Sequence, residues 1–120
     1  MRPTVLIVDD HESFRRSVRR LLEAEGFVVL GEAADGKTAL SAVLEMRPEL
    51  VLLDIMLPDM DGFTVAERLM ARPEPPLVIL TSSRRGSEYG PRLEKTSACG
   101  FISKAELSGA SLVRLAGWGS

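Results

Sequence analysis

Short apolar runs alternate with amphipathic stretches five times along these 120 residues, and that alternation restricts the chain to very few architectures. Val5-Leu6-Ile7-Val8 and Leu50-Val51-Leu52-Leu53 contain no polar residue, as strands covered on both faces require. Between the runs, apolar residues recur at helical spacing. Phe14, Val18, Leu21 and Leu22 share one face, and so do Leu40, Val43 and Leu44. This is the pattern of repeated βα units around a parallel sheet. The spacing predicts strands over 4–8, 28–33, 50–54, 77–81 and 100–103, and helices over 11–25, 36–47, 62–71, 86–97 and 107–117. Punctuation agrees with it: Gly26 stops the first helix, Asp35-Gly36 opens the second and Pro48 closes it. Pro58 to Gly62 forms a turn-rich loop, Arg72 to Pro76 cannot continue a helix, and Gly90-Pro91 interrupts the fourth helix. A chain of this length builds one core and is too short for two, so a single α/β domain over 1–120 is expected.

The balance of charges narrows the function. A net charge of −2 offers no basic footprint for DNA phosphates or anionic lipid, so direct nucleic-acid binding is not expected. No apolar run is long enough to cross a bilayer. The lone Cys99 has no partner for an internal disulfide and reads as a small packing residue; no Cys/His spacing suits zinc. Met1-Arg2-Pro3 leads into a strand rather than a signal-peptide core, which predicts a cytoplasmic setting. Gly119-Ser120 fits a natural tail and an expression remnant equally well.

The apolar runs end in acids. Asp54 closes one run, and Asp9 and Asp10 close another. Parallel strands of an open α/β sheet deliver their C-terminal tips to one crevice, so these carboxylates should meet there. Thr81 and Lys104 stand at the ends of the fourth and fifth strands. Clustered acids repel one another and raise a carboxylate's pKa unless a divalent cation offsets the charge. Mg²⁺, or Mn²⁺ in its place, suits hard oxygen ligands; His11 beside the acids is expected to be a partly exposed helix-start residue instead. Asp9 can alternatively serve as a helix cap.

With these positions in place, the chain resembles the receiver domain of two-component response regulators. The motifs are Val8-Asp9-Asp10, Leu53-Asp54-Ile55-Met56-Leu57-Pro58-Asp59-Met60-Asp61-Gly62, Leu80-Thr81-Ser82 and Phe101-Ile102-Ser103-Lys104, in order over nearly the whole length. The resemblance implies a doubly wound (βα)5 fold with a five-stranded parallel sheet in the flavodoxin-like order 2-1-3-4-5. It implies that Asp54 is the phosphoacceptor, taking a phosphoryl group from a sensor histidine kinase or a histidine phosphotransfer protein. Asp10, Asp54 and the Met56 backbone carbonyl would hold the metal directly, and Asp9 through water. Lys104 and Thr81 would meet the phosphoryl oxygens, with Thr81 and Phe101 as the switch pair. The chain would then be a signalling module, catalysing only its own phosphorylation and dephosphorylation.

Further expectations follow from the resemblance. The output face would be the fourth helix, fifth strand and fifth helix, with a phosphorylation-dependent homodimer open to it. The Arg15, Arg16, Arg19 and Arg20 stripe is either a solvated face or a kinase-docking surface. Ala105 stands where the family usually has proline, and the apolar Met56 predicts slow self-dephosphorylation. Three alternatives remain at this point. The chain is a receiver separated from a DNA-binding regulator, a phosphate-independent scaffold, or a haloacid-dehalogenase-like phosphatase, which would need an acid where Met56 stands.

Overall fold

The computed structural model describes residues 3–118, so Met1-Arg2 and the tail Gly119-Ser120 lie outside the described residues. The order is β1 (Thr4–Val8), α1 (Glu12–Ala24), β2 (Val28–Ala33), α2 (Gly36–Met46), β3 (Leu50–Asp54), α3 (Gly62–Met70), β4 (Leu77–Ser82), α4 (Pro91–Lys95), β5 (Gly100–Ser103) and α5 (Gly109–Ala116). The strands pair in parallel in the order β2-β1-β3-β4-β5. This is the doubly wound fold expected from the sequence.

Period-two alternation sorts each strand between two cores. Leu6, Val8, Val51, Leu53 and Leu80 point to the α2–α3 side, where they meet Ala39, Phe63, Val65 and Leu69. Val5, Ile7, Leu50, Leu52 and Ile79 point the other way, to Val18 and Leu22 of α1 and Leu112 of α5. Each fully buried Leu or Ile contributes about 1.5–3 kcal/mol relative to exposure. Burial along nearly their whole length holds β1 and β3 as central strands.

Three elements depart from the sequence expectation. Leu44 is not on the buried face of α2: it is 64% exposed, and Ala39, Ala42 and Val43 meet the sheet instead. Leu44 stands one residue, about 100° of turn, beyond Val43 and away from Ala39 and Ala42, so it faces outward. The fourth helix, predicted over 86–97, is a 3-10 turn at Gly86–Glu88 followed by the five-residue α4. Gly90 separates them with φ 53° and ψ −132°, and Pro91 occupies the first helical position, where its missing N–H is harmless. The fifth helix, predicted over 107–117, begins at Gly109. A 3-10 turn at Lys104–Glu106 precedes it, and Ser108 caps it through the Ser111 amide at 3.0 Å.

Candidate functional site

The site grows from the C-terminal tips of β1, β3, β4 and β5. Asp9 follows β1 directly and is fully buried; Asp54 is the last residue of β3 and is 3% exposed. Asp10 is exposed one residue further on. Register places Thr81 of β4 beside Asp54. Lys104, immediately after β5, reaches back with Nζ 2.6 Å from Asp9 Oδ2 and 3.4 Å from Asp54 Oδ2. The Asp9 contact is an ion pair whose angles fall outside hydrogen-bond geometry, whereas Asp54 accepts a long hydrogen bond. The Phe14 ring lies 4.3 Å from the same ammonium.

The loop after β3 is folded tightly onto the site. Met56 donates its amide to Asp54 Oδ1 (3.1 Å), and Gly62 donates its own to the Ile55 carbonyl (2.7 Å). A Cβ at Gly62 would fall 2.4 Å from the Asp54 carbonyl oxygen, so only glycine permits this approach. Asp61 caps α3 by accepting from Phe63 N at 2.7 Å. On the other flank, Arg15 donates to the Asp9 carbonyl at 2.6 Å and pairs with Glu32, fixing the start of α1.

The electrostatics follow from burial. Asp54 is pushed up to about 6, first by desolvation and next by the neighbouring Asp9; the Met56 amide and Lys104 oppose the rise. Ligand atoms of Asp9, Asp10, His11 and Asp54 all lie within 4.8 Å of one another. The buried Thr81 hydroxyl has no hydrogen-bond partner. A crevice of about 460 Å³ opens onto the site, lined by Asp10, Asp54, Met56, Ser83, Arg84 and Lys104 among others. Hard oxygens converging at short range, with one acid held above its usual range by burial and then by a neighbouring carboxylate, fit a divalent cation.

A family model described as the response regulator receiver domain matches residues 5–114. The chain belongs to this family. Receiver domains of two-component systems are its members, and several relatives agree. A protein of Pseudomonas aeruginosa that carries the name of a transcriptional regulator is 39% identical over 102 residues, 85% of this chain and 49% of its own length. A protein-glutamate methylesterase/protein-glutamine glutaminase of Anaeromyxobacter dehalogenans is 41% identical over 111 residues, 92% of this chain and 31% of its own. The chain thus spans a half or less of these two relatives. A crystal structure of a LuxR-family two-component response regulator from Aurantimonas sp. SI85-9A1 superposes with a TM-score of 0.85 at 28% identity, covering 98% of this receiver and 87% of that chain.

The receiver brings together Asp9, Asp10, Asp54, Thr81 and Lys104 at one edge of the sheet. Phe101 stands apart from the acids, packed with Tyr89 (ring centroids 6.1 Å apart) against the α2–α3 core. The Met56 side chain is 51% exposed. His11 is more engaged than the sequence suggests: Nδ1 lies 3.0 Å from both Asp9 Oδ1 and Asp10 Oδ1, although the side chain is 65% exposed. The arginine stripe is divided. Arg15 and Arg19 turn inward to Glu32 at 2.9 and 2.7 Å, whereas Arg16 and Arg20 remain exposed. The Lys104–Ala105 peptide is trans. Cys99 is exposed rather than packed, its thiol donating to the Val78 carbonyl at 3.1 Å.

Two contacts around the site were missed from the sequence. Asp59 accepts from the Gly36 and Lys37 amides at 2.8 and 2.9 Å, tying the loop after β3 to the first turn of α2 and lowering its own pKa. The only signal was an acid in a turn-rich loop. The second contact joins Ser82 to Tyr89, and no local pattern announces it.

Proposed function

We propose that this receiver domain accepts a phosphoryl group on Asp54 from a phosphohistidine of a sensor histidine kinase or histidine phosphotransfer protein, in a Mg²⁺- or Mn²⁺-dependent reaction. The observation that carries the reading is Asp54 itself. It is a buried carboxylate beside a second buried acid, under one lysine, at the floor of an open crevice. One Asp54 oxygen forms the new bond to phosphorus as the bond to the imidazole nitrogen breaks, and the leaving imidazole recovers a proton. Lys104 holds positive charge against the transferring oxygens, and the unpartnered Thr81 hydroxyl donates to one of them. Asp10, Asp54 and the Met56 carbonyl, with Asp9 in support, would hold the cation. The bound ion would neutralise charge on the acids and on the transferring group. Hydrolysis reverses the modification: water attacks phosphorus, and Asp54 and inorganic phosphate are recovered. The phosphorylated domain then alters its α4–β5–α5 face for an output partner.

The test is incubation with Mg²⁺ and acetyl phosphate, read by intact mass. One hydroxylamine-labile phosphoryl group is expected, and none in Asp54→Asn. Modification that persists in that variant overturns the assignment. Absence from both proteins, with a histidine phosphotransfer domain also supplied as donor, favours a phosphate-independent scaffold. The relative named as a transcriptional regulator, about twice as long as the matched region, supports a transcriptional output for the phosphorylated state.

A further inference from the structure

Tyr89 is the only tyrosine of the chain, and nothing in the reaction at Asp54 uses it. It sits at the end of the 3-10 turn that precedes α4, and its hydroxyl lies 2.5 Å from Ser82 Oγ. Ser82 is 1% exposed, directly follows Thr81, and also accepts from the Arg84 amide at 3.1 Å. The Tyr89 ring packs edge-on against Phe63 of α3, 5.9 Å between centroids, and tilted against Phe101 of β5. Arg92 of α4 stacks 4.3 Å over Phe63 and pairs with Asp61. One phenol therefore touches the tip of the strand beside the phosphoacceptor and the aromatic pair beneath α4.

We infer that the Ser82–Tyr89 hydrogen bond is a latch holding the β4–α4 segment in its unphosphorylated arrangement, and that modification of Asp54 releases it. This rests on Asp54 being the phosphoacceptor. Thr81 Oγ1 is buried without a partner one residue from the latch, so a phosphoryl oxygen at Asp54 offers it a hydrogen bond and draws the strand tip inward. Ser82 moves with its neighbour, and the contact to Tyr89 lengthens. Phe101 has no hydroxyl through which to report that movement; Tyr89 has one, and its ring already rests on Phe101. The segment it restrains is lightly held: α4 has five residues, none buried. A contact made in only one of two arrangements opposes the ligand that selects the other, and the coupling is reciprocal.

The test uses beryllofluoride, a phosphoryl mimic, on the whole chain and on Tyr89→Phe, Ser82→Ala and the double variant. Tyr89→Phe keeps the ring packing and removes only the hydroxyl. Beryllofluoride should bind about threefold to tenfold more tightly to each single variant, the range expected for one hydrogen bond. The double variant should gain no more than Ser82→Ala, which already removes the Tyr89 contact together with that from the Arg84 amide. With 3-fluorotyrosine at the sole tyrosine, the fluorine resonance should shift on beryllofluoride binding. In unliganded Ser82→Ala it should already lie toward the liganded position. Affinity unchanged in Tyr89→Phe, additive gains in the double variant, or a resonance that does not move while beryllofluoride binds, each overturns the latch alone. Failure of wild type and all variants to bind beryllofluoride or to be phosphorylated overturns the phosphoacceptor reading and the latch with it.

Discussion

The centre of the sheet and its β5 edge are built to different standards. In β1 and β3, Val5 to Val8 and Leu50 to Asp54 are all buried, and the flanking α1 and α2 run 13 and 11 residues. In β5, one residue of four is buried, and α4 contributes no buried residue at all. The acids stand on the firm side; Lys104, the Ser82–Tyr89 contact and Phe101 stand on or beside the loose one. A segment with few buried apolar groups opens at lower free-energy cost than one with many. The division would let the acids hold their geometry while the proposed phosphorylation of Asp54 rearranges the part that is cheapest to move.

Core truncation should expose this contrast most strongly. Leu53→Ala should cost about 3 kcal/mol in urea unfolding, within the range for buried leucine, whereas Leu93→Ala in α4 should cost under about 1 kcal/mol. Equal costs would erase the distinction. Next in size, Lys104→Met should slow acetyl phosphate-driven modification by about a hundredfold at saturating Mg²⁺, followed by time-resolved intact mass. A wild-type rate would mean that the loose side supplies no catalytic cation.

Asp54 gives a pH test of the firm side. Its folded pKa, about 6, lies above the unfolded value near 3.8, so the folded state binds the proton more tightly. The stability this proton contributes is fully present below about pH 4 and is lost as pH rises through 6. Asp54→Asn escapes that loss. Its melting temperature should therefore exceed wild type by an amount that grows between pH 4 and 6 without metal, and Mg²⁺ should shrink the gap. A gap independent of pH would show that Asp54 is not held against its environment. Asp59→Ala should lower the urea midpoint by a small but measurable amount, because it strips two α2 amides of their acceptor. The smallest effect expected is at Met56. With the phosphoryl group on Asp54, Met56→Asn should speed its hydrolysis a few-fold by giving water a polar partner, followed by phosphate release. An unchanged rate would remove Met56 from the account of its lifetime.

Legibility in the sequence tracks how locally each feature is encoded. The strand positions could be read because runs such as Leu50-Val51-Leu52-Leu53 are apolar without interruption, and few other structures bury such a segment on both faces. Asp9, Asp10 and Asp54 could be read because they end those runs. Thr81 could be read as a strand-end residue, but the register that sets it beside Asp54 is given by the pairing of β3 with β4. α4 was harder: Gly90-Pro91 marks a break, but the helical spacing on either side does not say how little helix survives it. Leu44 was misplaced because the larger apolar residues suggested one face, whereas the buried arc is centred on Ala39 and Ala42, small residues that carry little signal.

The residue pattern by itself determined the parallel α/β architecture, the order of its elements and the presence of an acidic crevice, since each depends on which short runs are apolar and what ends them. Tertiary structure alone decided that Lys104 leans closer to Asp9 than to Asp54, that Arg15 and Arg19 are taken up by Glu32, and that Tyr89 reaches Ser82. It also decided how far burial lifts Asp54. The physical reason is range. Burial of a strand is written in adjacent residues, whereas a charge's partner and its desolvation depend on atoms brought close only when distant segments pack.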